Sequence, residues 1–61
     1  MRIRITWNRP DGSKPAVEFP VDGADPQMDV AKAAAAASPY FYQKFGEMPT
    51  PGELTAKMVT G

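Results

Sequence analysis

Residues 2–8 read RIRITWN, and this stretch carries the clearest pattern in the chain. Apolar and polar side chains alternate, so that Ile3, Ile5 and Trp7 share one face while Arg2 and Arg4 belong to the other. A period of two is typical of a β-strand with one buried face, because successive side chains of a strand point to opposite sides. We therefore predict a strand at the start of the chain, with its arginines on the polar face.

A second alternating run, from Ala16 to Asp22, predicts a partner for this strand. The loop between the runs is rich in turn residues, among them Pro10, which presets φ, and Gly12, which tolerates a positive φ. These features predict an antiparallel hairpin over about residues 2–22. Because Pro20 has no N–H to donate, we expect it on the outer edge of the pair. The other edge of the first strand is then free to pair with another chain.

Three capping residues, each followed by proline, punctuate the rest of the sequence: Asp25-Pro26, Ser38-Pro39 and Thr50-Pro51. Proline is favoured at the first position of a helix, where its missing N–H is not needed. Glu53 follows Thr50 at the spacing of a capping box. We predict helices over about residues 26–37, 39–45 and 51–59, and hence one small α+β domain spanning residues 1–61.

The segment 40–45 is compatible with two structures. Phe41 and Phe45 have the spacing of a helix face, whereas the aromatic content of the segment is typical of a strand, which would be the third of the sheet. Gly46 has the identity expected of a helix C-cap and therefore favours a helix.

The first predicted helix contains an unbroken alanine run, Ala33–Ala37. Alanine has the highest helix propensity of any residue, which accounts for the run without a special role. We expect an apolar face formed by Met28, Ala31, Ala34 and Ala35 to pack closely against the sheet or another helix.

The composition excludes several classes of function. The 61 residues include no His and no Cys, and seven Lys or Arg residues balance seven Asp or Glu residues. The chain therefore has no imidazole base, no thiol nucleophile and no Cys/His zinc site. We expect no catalysis, no cofactor and no metal. Asp25 and Asp29 are expected to stabilise the N-terminus of the first helix rather than to hold a cation with Asp22.

Arg2 and Arg4 admit two interpretations. On one strand face they could enter a DNA groove and contact base edges and phosphates, as in a β-ribbon regulator. Alternatively they lie on a solvated face and pair with Glu18 and Asp22 across the hairpin. A net charge of zero weakens the attraction to nucleic acid, so the DNA-binding regulator is the alternative hypothesis.

The aromatic residues number six, which is more than a core of this size buries. If Phe41 and Phe45 pack inward, Tyr40 and Tyr42 face solvent beside Lys44. Tyrosine with a nearby cation is typical of protein interfaces. The alternative is that all six aromatic residues form the core, since a small protein depends on aromatic side chains for burial.

These observations favour a small non-enzymatic protein-binding factor, either an accessory subunit or an inhibitor that docks on a larger protein. The predicted contact residues are Arg2, Arg4, Tyr40, Tyr42 and Lys44. Size and composition are those of many phage and mobile-element products, although no residue requires that origin. Self-association and a structural subunit of a larger particle are further alternatives. No apolar run is long enough to span a bilayer, and we expect a cytoplasmic protein without membrane contact.

Overall fold

The structure is a computed structural model that describes residues 1–60. It contains the strands β1 (Arg2–Trp7), β2 (Ala16–Pro20) and β3 (Leu54–Val59), together with the helix α1 (Pro26–Phe45). A single 3-10 turn, Pro51–Glu53, directly precedes β3. The protein is thus a small α+β fold with a three-stranded antiparallel sheet and one long helix, which confirms the predicted class but not the predicted number of helices.

The sheet has the order β2-β1-β3, and both pairings are antiparallel. The hairpin predicted for residues 2–22 is present, with Ile3 opposite Phe19 and Ile5 opposite Val17. The expectation of a free edge on the first strand is wrong, because β1 is the central strand and pairs with β3 along its whole length. The edges of the sheet are therefore β2, where Pro20 lies as expected, and β3.

Helix α1 begins where the sequence predicts. The side chain of Asp25 accepts a hydrogen bond from the backbone N–H of Met28 at 3.2 Å, and Pro26 occupies the first turn. The helix ends at Gly46, which adopts a left-handed conformation with φ of 76° and donates its N–H to the carbonyl of Tyr42. Both ends of α1 therefore satisfy backbone groups that would otherwise be unpaired.

The predicted break at Ser38-Pro39 is wrong, since α1 runs through it for 20 residues and residues 40–45 are helical. Ser38 does not cap a helix; its hydroxyl donates to the carbonyl of Ala34 at 3.3 Å. A proline inside a helix costs about 3 kcal/mol because it removes a hydrogen bond and crowds the preceding turn. Burial on both sides of the break offsets that cost: Ala33 and Ala37 before it and Phe41 after it lie on one continuous buried face.

The helix predicted for residues 51–59 is also wrong, since it is a 3-10 turn followed by β3. Leu54 and Met58 are four residues apart, a spacing that places two side chains on the same face of a helix and equally on the same face of a strand. The unpaired edge of β1 decides between the two, because β3 supplies its backbone partners. The predicted role of Glu53 holds: its carboxylate accepts the N–H of Thr50 at 3.1 Å.

The core lies between the sheet and α1. Its fully buried members alternate along β1 and recur every four residues along α1: Ile3, Ile5, Trp7, Ala33, Ala37 and Phe41. The apolar face expected from the sequence is displaced around the helix, because Met28, Ala31 and Ala35 are exposed and Ala34 is half-buried. Helix α1 therefore has two apolar faces, of which the sheet covers one.

Candidate functional site

An aromatic cluster closes one end of the core. The ring of Trp7 lies 5.5 Å from that of Phe41 and 5.7 Å from that of Phe45. The guanidinium of Arg9 packs over Trp7 at 4.7 Å and over Phe45 at 4.9 Å, and it pairs with Glu47 at 3.3 Å. Because its rings and its cation are already in contact with one another, this cluster closes the end of the core.

Glu53 connects this cluster to the turn before β3. Its Oε1 accepts the indole N–H of Trp7 at 3.2 Å and the backbone N–H of Thr50 at 3.1 Å. The hydrogen bond from Thr50, followed by that from Trp7, lowers the pKa of the Glu53 carboxyl below its ordinary value. These two hydrogen bonds tie the Glu53 side chain to Trp7 and to the turn before β3.

The outer face of the sheet carries the predicted contact residues Arg2 and Arg4. One carboxylate, that of Glu18, pairs with both, at 3.3 Å and 2.9 Å respectively. The other predicted partner, Asp22, is engaged elsewhere, since its side chain accepts the N–H of Ala24 at 2.9 Å. The cross-strand pairing expected from the sequence is therefore present, but it involves a single acid.

Lys57 also belongs to this outer face, and the sequence analysis missed it. It lies on β3 directly opposite Arg4, so three cationic side chains share the face with one carboxylate. Its position depends on the strand conformation of residues 54–59, which the helical interpretation of that segment concealed. An alternation from Thr55 to Lys57 was the one available signal, and it is too short to be decisive.

The other predicted contact residues, Tyr40, Tyr42 and Lys44, lie on α1, across the sheet from the arginines. The Lys44 ammonium lies 3.4 Å from the Tyr40 hydroxyl and 5.6 Å from the centre of its ring. Tyr42 is 53% exposed and projects from another side of the helix. The five residues therefore do not form one surface: two belong to the sheet and three to the helix.

A continuous apolar stripe follows the exposed side of α1. Its members recur at intervals of three, four, four and three residues, which keeps them on one side of a helix. We call it the α1 stripe; it consists of Met28, Ala31, Ala35, Pro39 and Tyr42, and all five are exposed. The two large side chains, Met28 and Tyr42, are about half exposed, at 51% and 53%.

Such a stripe is unusual for a helix that already covers a core. The solvent side of an amphipathic helix normally carries charged and polar residues, and a contiguous exposed apolar patch commonly marks an interaction site. Among the exposed residues of α1, only Lys32 and Lys44 are charged. The α1 stripe also borders a groove of about 400 Å³ beside β3, where Ala35 and Leu54 are among the lining residues.

No metal site emerges from the acidic residues at the start of α1. Asp25 caps α1, as the sequence predicts. Asp22 accepts the backbone N–H of Ala24. Across residues 1–60, no three His, Cys, Asp or Glu side chains gather in a cluster that could hold an ion. Over the same residues, no helix has the length and apolar character needed to cross a membrane.

The chain was compared with family models, with curated proteins and with solved structures. None of the three comparisons finds a significant match.

Proposed function

We propose that this protein is a small non-enzymatic binding factor that docks on a larger protein through the α1 stripe. The single observation that carries the proposal is the second apolar face of α1, which the fold leaves uncovered. Exposing it has a cost in water, since each Å² of apolar surface left unburied forgoes about 25 cal/mol. A partner that covers the stripe recovers this free energy on binding.

The chemistry of the α1 stripe describes the partner surface. Ala31 and Ala35 at its centre have short side chains, which allow another backbone to approach closely. Met28 and Tyr42 at its ends can enter pockets, and both residue types are common in protein interfaces. The stripe extends over about 21 Å, the rise of 14 helical residues. A helix with an apolar, uncharged face is the partner element that matches this length and this lack of charge.

A pair of adjacent alanines allows a matched test. Ala35 belongs to the α1 stripe, whereas Ala36 is turned by about 100° and lines a groove beside β2. Both are exposed positions of the same helix, so Ala35→Glu and Ala36→Glu have similar effects on helix propensity. We expect tagged wild type and Ala36→Glu to retain one protein stoichiometrically from nuclease-treated lysate, and Ala35→Glu to lose it. Equal retention by both variants would refute docking through the stripe.

A second candidate function, DNA binding, is favoured by the position of Lys57 beside Arg4. Like charges directly opposite one another in a sheet are destabilising, and a phosphate backbone would relieve the repulsion. The protein would then lay the outer face of its sheet against a duplex. Its test is the salt dependence of DNA binding by wild type, by Arg2→Ala/Arg4→Ala and by Lys57→Ala. If wild type has no affinity at low salt, this candidate is eliminated.

The binding factor is the leading proposal because of the balance of charges. The chain as a whole has no net charge, and Glu18 already holds two of the three cations on the sheet face. Nucleic-acid affinity depends largely on neutralising phosphates, and of the three cations on the sheet face only Lys57 has no carboxylate partner among residues 1–60. The α1 stripe has no competing partner within residues 1–60. A cytoplasmic location and a phage or mobile-element origin remain parts of this proposal.

A further inference from the structure

The two edges of the sheet differ in the backbone groups that they present. At the end of β1 the backbone N–H of Trp7 donates to the carbonyl of Pro15, and the N–H of the next residue, Asn8, donates to the carbonyl of Glu53. Hydrogen-bonded and non-bonded pairs alternate along an antiparallel ladder, so the odd-numbered residues of β1 bond to β2 and the even-numbered ones to β3. It follows that Ala16, Glu18 and Pro20 of β2 direct their backbone groups outward. On β3 the outward positions are Leu54, Ala56 and Met58.

The edge of β2 is protected against pairing. Pro20 occupies an outward position and has no N–H to offer. If two copies of β2 paired about their centre, Glu18 would face Glu18 of the second copy, and like charges directly opposite one another are destabilising. A proline and a charge at an edge are the usual means by which proteins prevent sheets from joining.

The edge of β3 is less protected, because its one charged residue, Lys57, directs its backbone groups toward β1 and not outward. It contains no proline, and the alternation of the ladder directs the backbone N–H groups of Ala56 and Met58 away from β1. Leu54, Met58 and Val59 are only half-buried. An edge with no proline, no charge at its outward positions and incompletely buried apolar residues is a template for another strand.

We propose that this edge pairs antiparallel with β3 of a second copy of the chain, to form a six-stranded sheet. The side chains of β3 are self-complementary in that arrangement. Pairing centred on Ala56 places Leu54 opposite Met58 of the second copy on the helix side of the sheet, and Thr55 opposite Lys57 on the outer side. A shift of the pairing by one residue on each strand toward the C-terminus would place Lys57 opposite Lys57. The centred register therefore buries apolar pairs and avoids like charges.

The dimer has a defined geometry. A two-fold axis perpendicular to the sheet relates the copies, so both helices lie on the same side. Each helix lies over its own β1. Three strand spacings then separate the two β1 strands, which amounts to about 14 Å. The inference goes beyond the proposed function and does not depend on the α1 stripe, although it would present two stripes side by side.

Proline substitution at matched outward positions tests the dimer. Ala56→Pro removes an outward N–H of β3 and leaves the ladder with β1 unchanged, and Ala16→Pro makes the same change on β2. By sedimentation equilibrium we expect wild type and Ala16→Pro to reach twice the mass of one chain as the concentration rises. Ala56→Pro should remain at the mass of one chain. A wild type that stays monomeric at millimolar concentration would overturn the proposal, as would an Ala56→Pro variant that dimerises like wild type.

A second measurement covers the case in which Ala56→Pro fails to fold. The chain has no cysteine, so Ala56→Cys introduces a single thiol, which in the centred register faces its own copy about 5.5 Å away between Cα atoms. This separation suits a disulfide. We expect Ala56→Cys to form a covalent dimer under mild oxidation at micromolar concentration and Ala16→Cys to remain monomeric. Equal dimer yields from the two variants would overturn the proposal.

Discussion

The two apolar faces of α1 are built from similar residues, but one face is buried and the other is exposed. The inner face, with Ala33, Ala37 and Phe41, is at most 4% exposed and packs on β1. The outer face, the α1 stripe, runs parallel to it and remains open, with Tyr42 53% exposed. The difference shows that helix propensity and apolar periodicity account for the helix but not for both faces. The inner face packs in the core, and we propose that the outer face binds a partner.

The largest expected effect is on the inner face. Phe41 is fully buried, and its ring lies within 6.3 Å of the rings of Trp7, Phe45 and Tyr40, measured between centroids. Replacing a buried Phe by Ala costs about 3–5 kcal/mol. The total stability expected for a domain of this size is about 3–9 kcal/mol, so Phe41→Ala should remove between about a third and all of the free energy of unfolding. Urea denaturation followed by circular dichroism measures the change.

Tyr42→Ala is the control for that substitution. It removes an aromatic side chain of similar size from the outer face of the same helix, and we expect the free energy of unfolding to change by less than about 0.5 kcal/mol. A loss as large as that of Phe41→Ala would contradict the place of Tyr42 on the exposed face of α1.

An intermediate effect is expected from adding volume to each face. Ala37 lies on the side of α1 that faces the sheet and is fully buried. The larger side chain of Ala37→Leu should therefore lower the free energy of unfolding by about 1–3 kcal/mol. Ala35 is exposed on the α1 stripe, and Ala35→Leu should leave the free energy of unfolding within about 0.5 kcal/mol of wild type. Thermal unfolding of the two variants side by side measures the contrast. Equal destabilisation would contradict the assignment of inner and outer faces.

The smallest effect is expected at Glu53, whose carboxylate accepts the indole N–H of Trp7. Because folding lowers the pKa of Glu53 below its ordinary value of 4.5, its carboxylate stabilises the folded state above that pH. This contribution is lost as the pH falls from about 5 through the lower pKa of the folded state. We expect the melting temperature of wild type to exceed that of Glu53→Gln at neutral pH, with the difference shrinking in acid. A constant difference from neutral to acidic pH would contradict this role.

Local patterns were sufficient for the hairpin and for the start and end of α1. Alternation along residues 2–8, the cap at Asp25 and the glycine at position 46 each depend on neighbouring residues alone. The two misread segments depend on distant ones. Pro39 lies within a helix because Phe41 and the alanines before it share one buried face. Residues 54–59 are a strand because β1 has a second edge to satisfy.

The candidate sites likewise include features that neighbouring residues indicate and features that depend on distant residues. Lys57 could not be grouped with Arg4 before residues 54–59 were known to be a strand. The sequence pattern did identify Met28, Ala31 and Ala35 as an apolar face, but only the position of the sheet shows that this face is directed away from the core. Alanine occurs on both faces of α1, so side-chain size in the sequence does not show which face is buried against the sheet and which is exposed.

The central claim, that a partner covers the α1 stripe, is tested most directly by photo-crosslinking from single positions in source cells. A benzophenone side chain at Ala35 probes the stripe, and the same side chain at Thr55 probes the outer face of the sheet; both positions are exposed. We predict that position 35 yields one abundant adduct to another protein and that position 55 yields none of that mass. Adducts from position 55 alone, or none from position 35, would contradict the account.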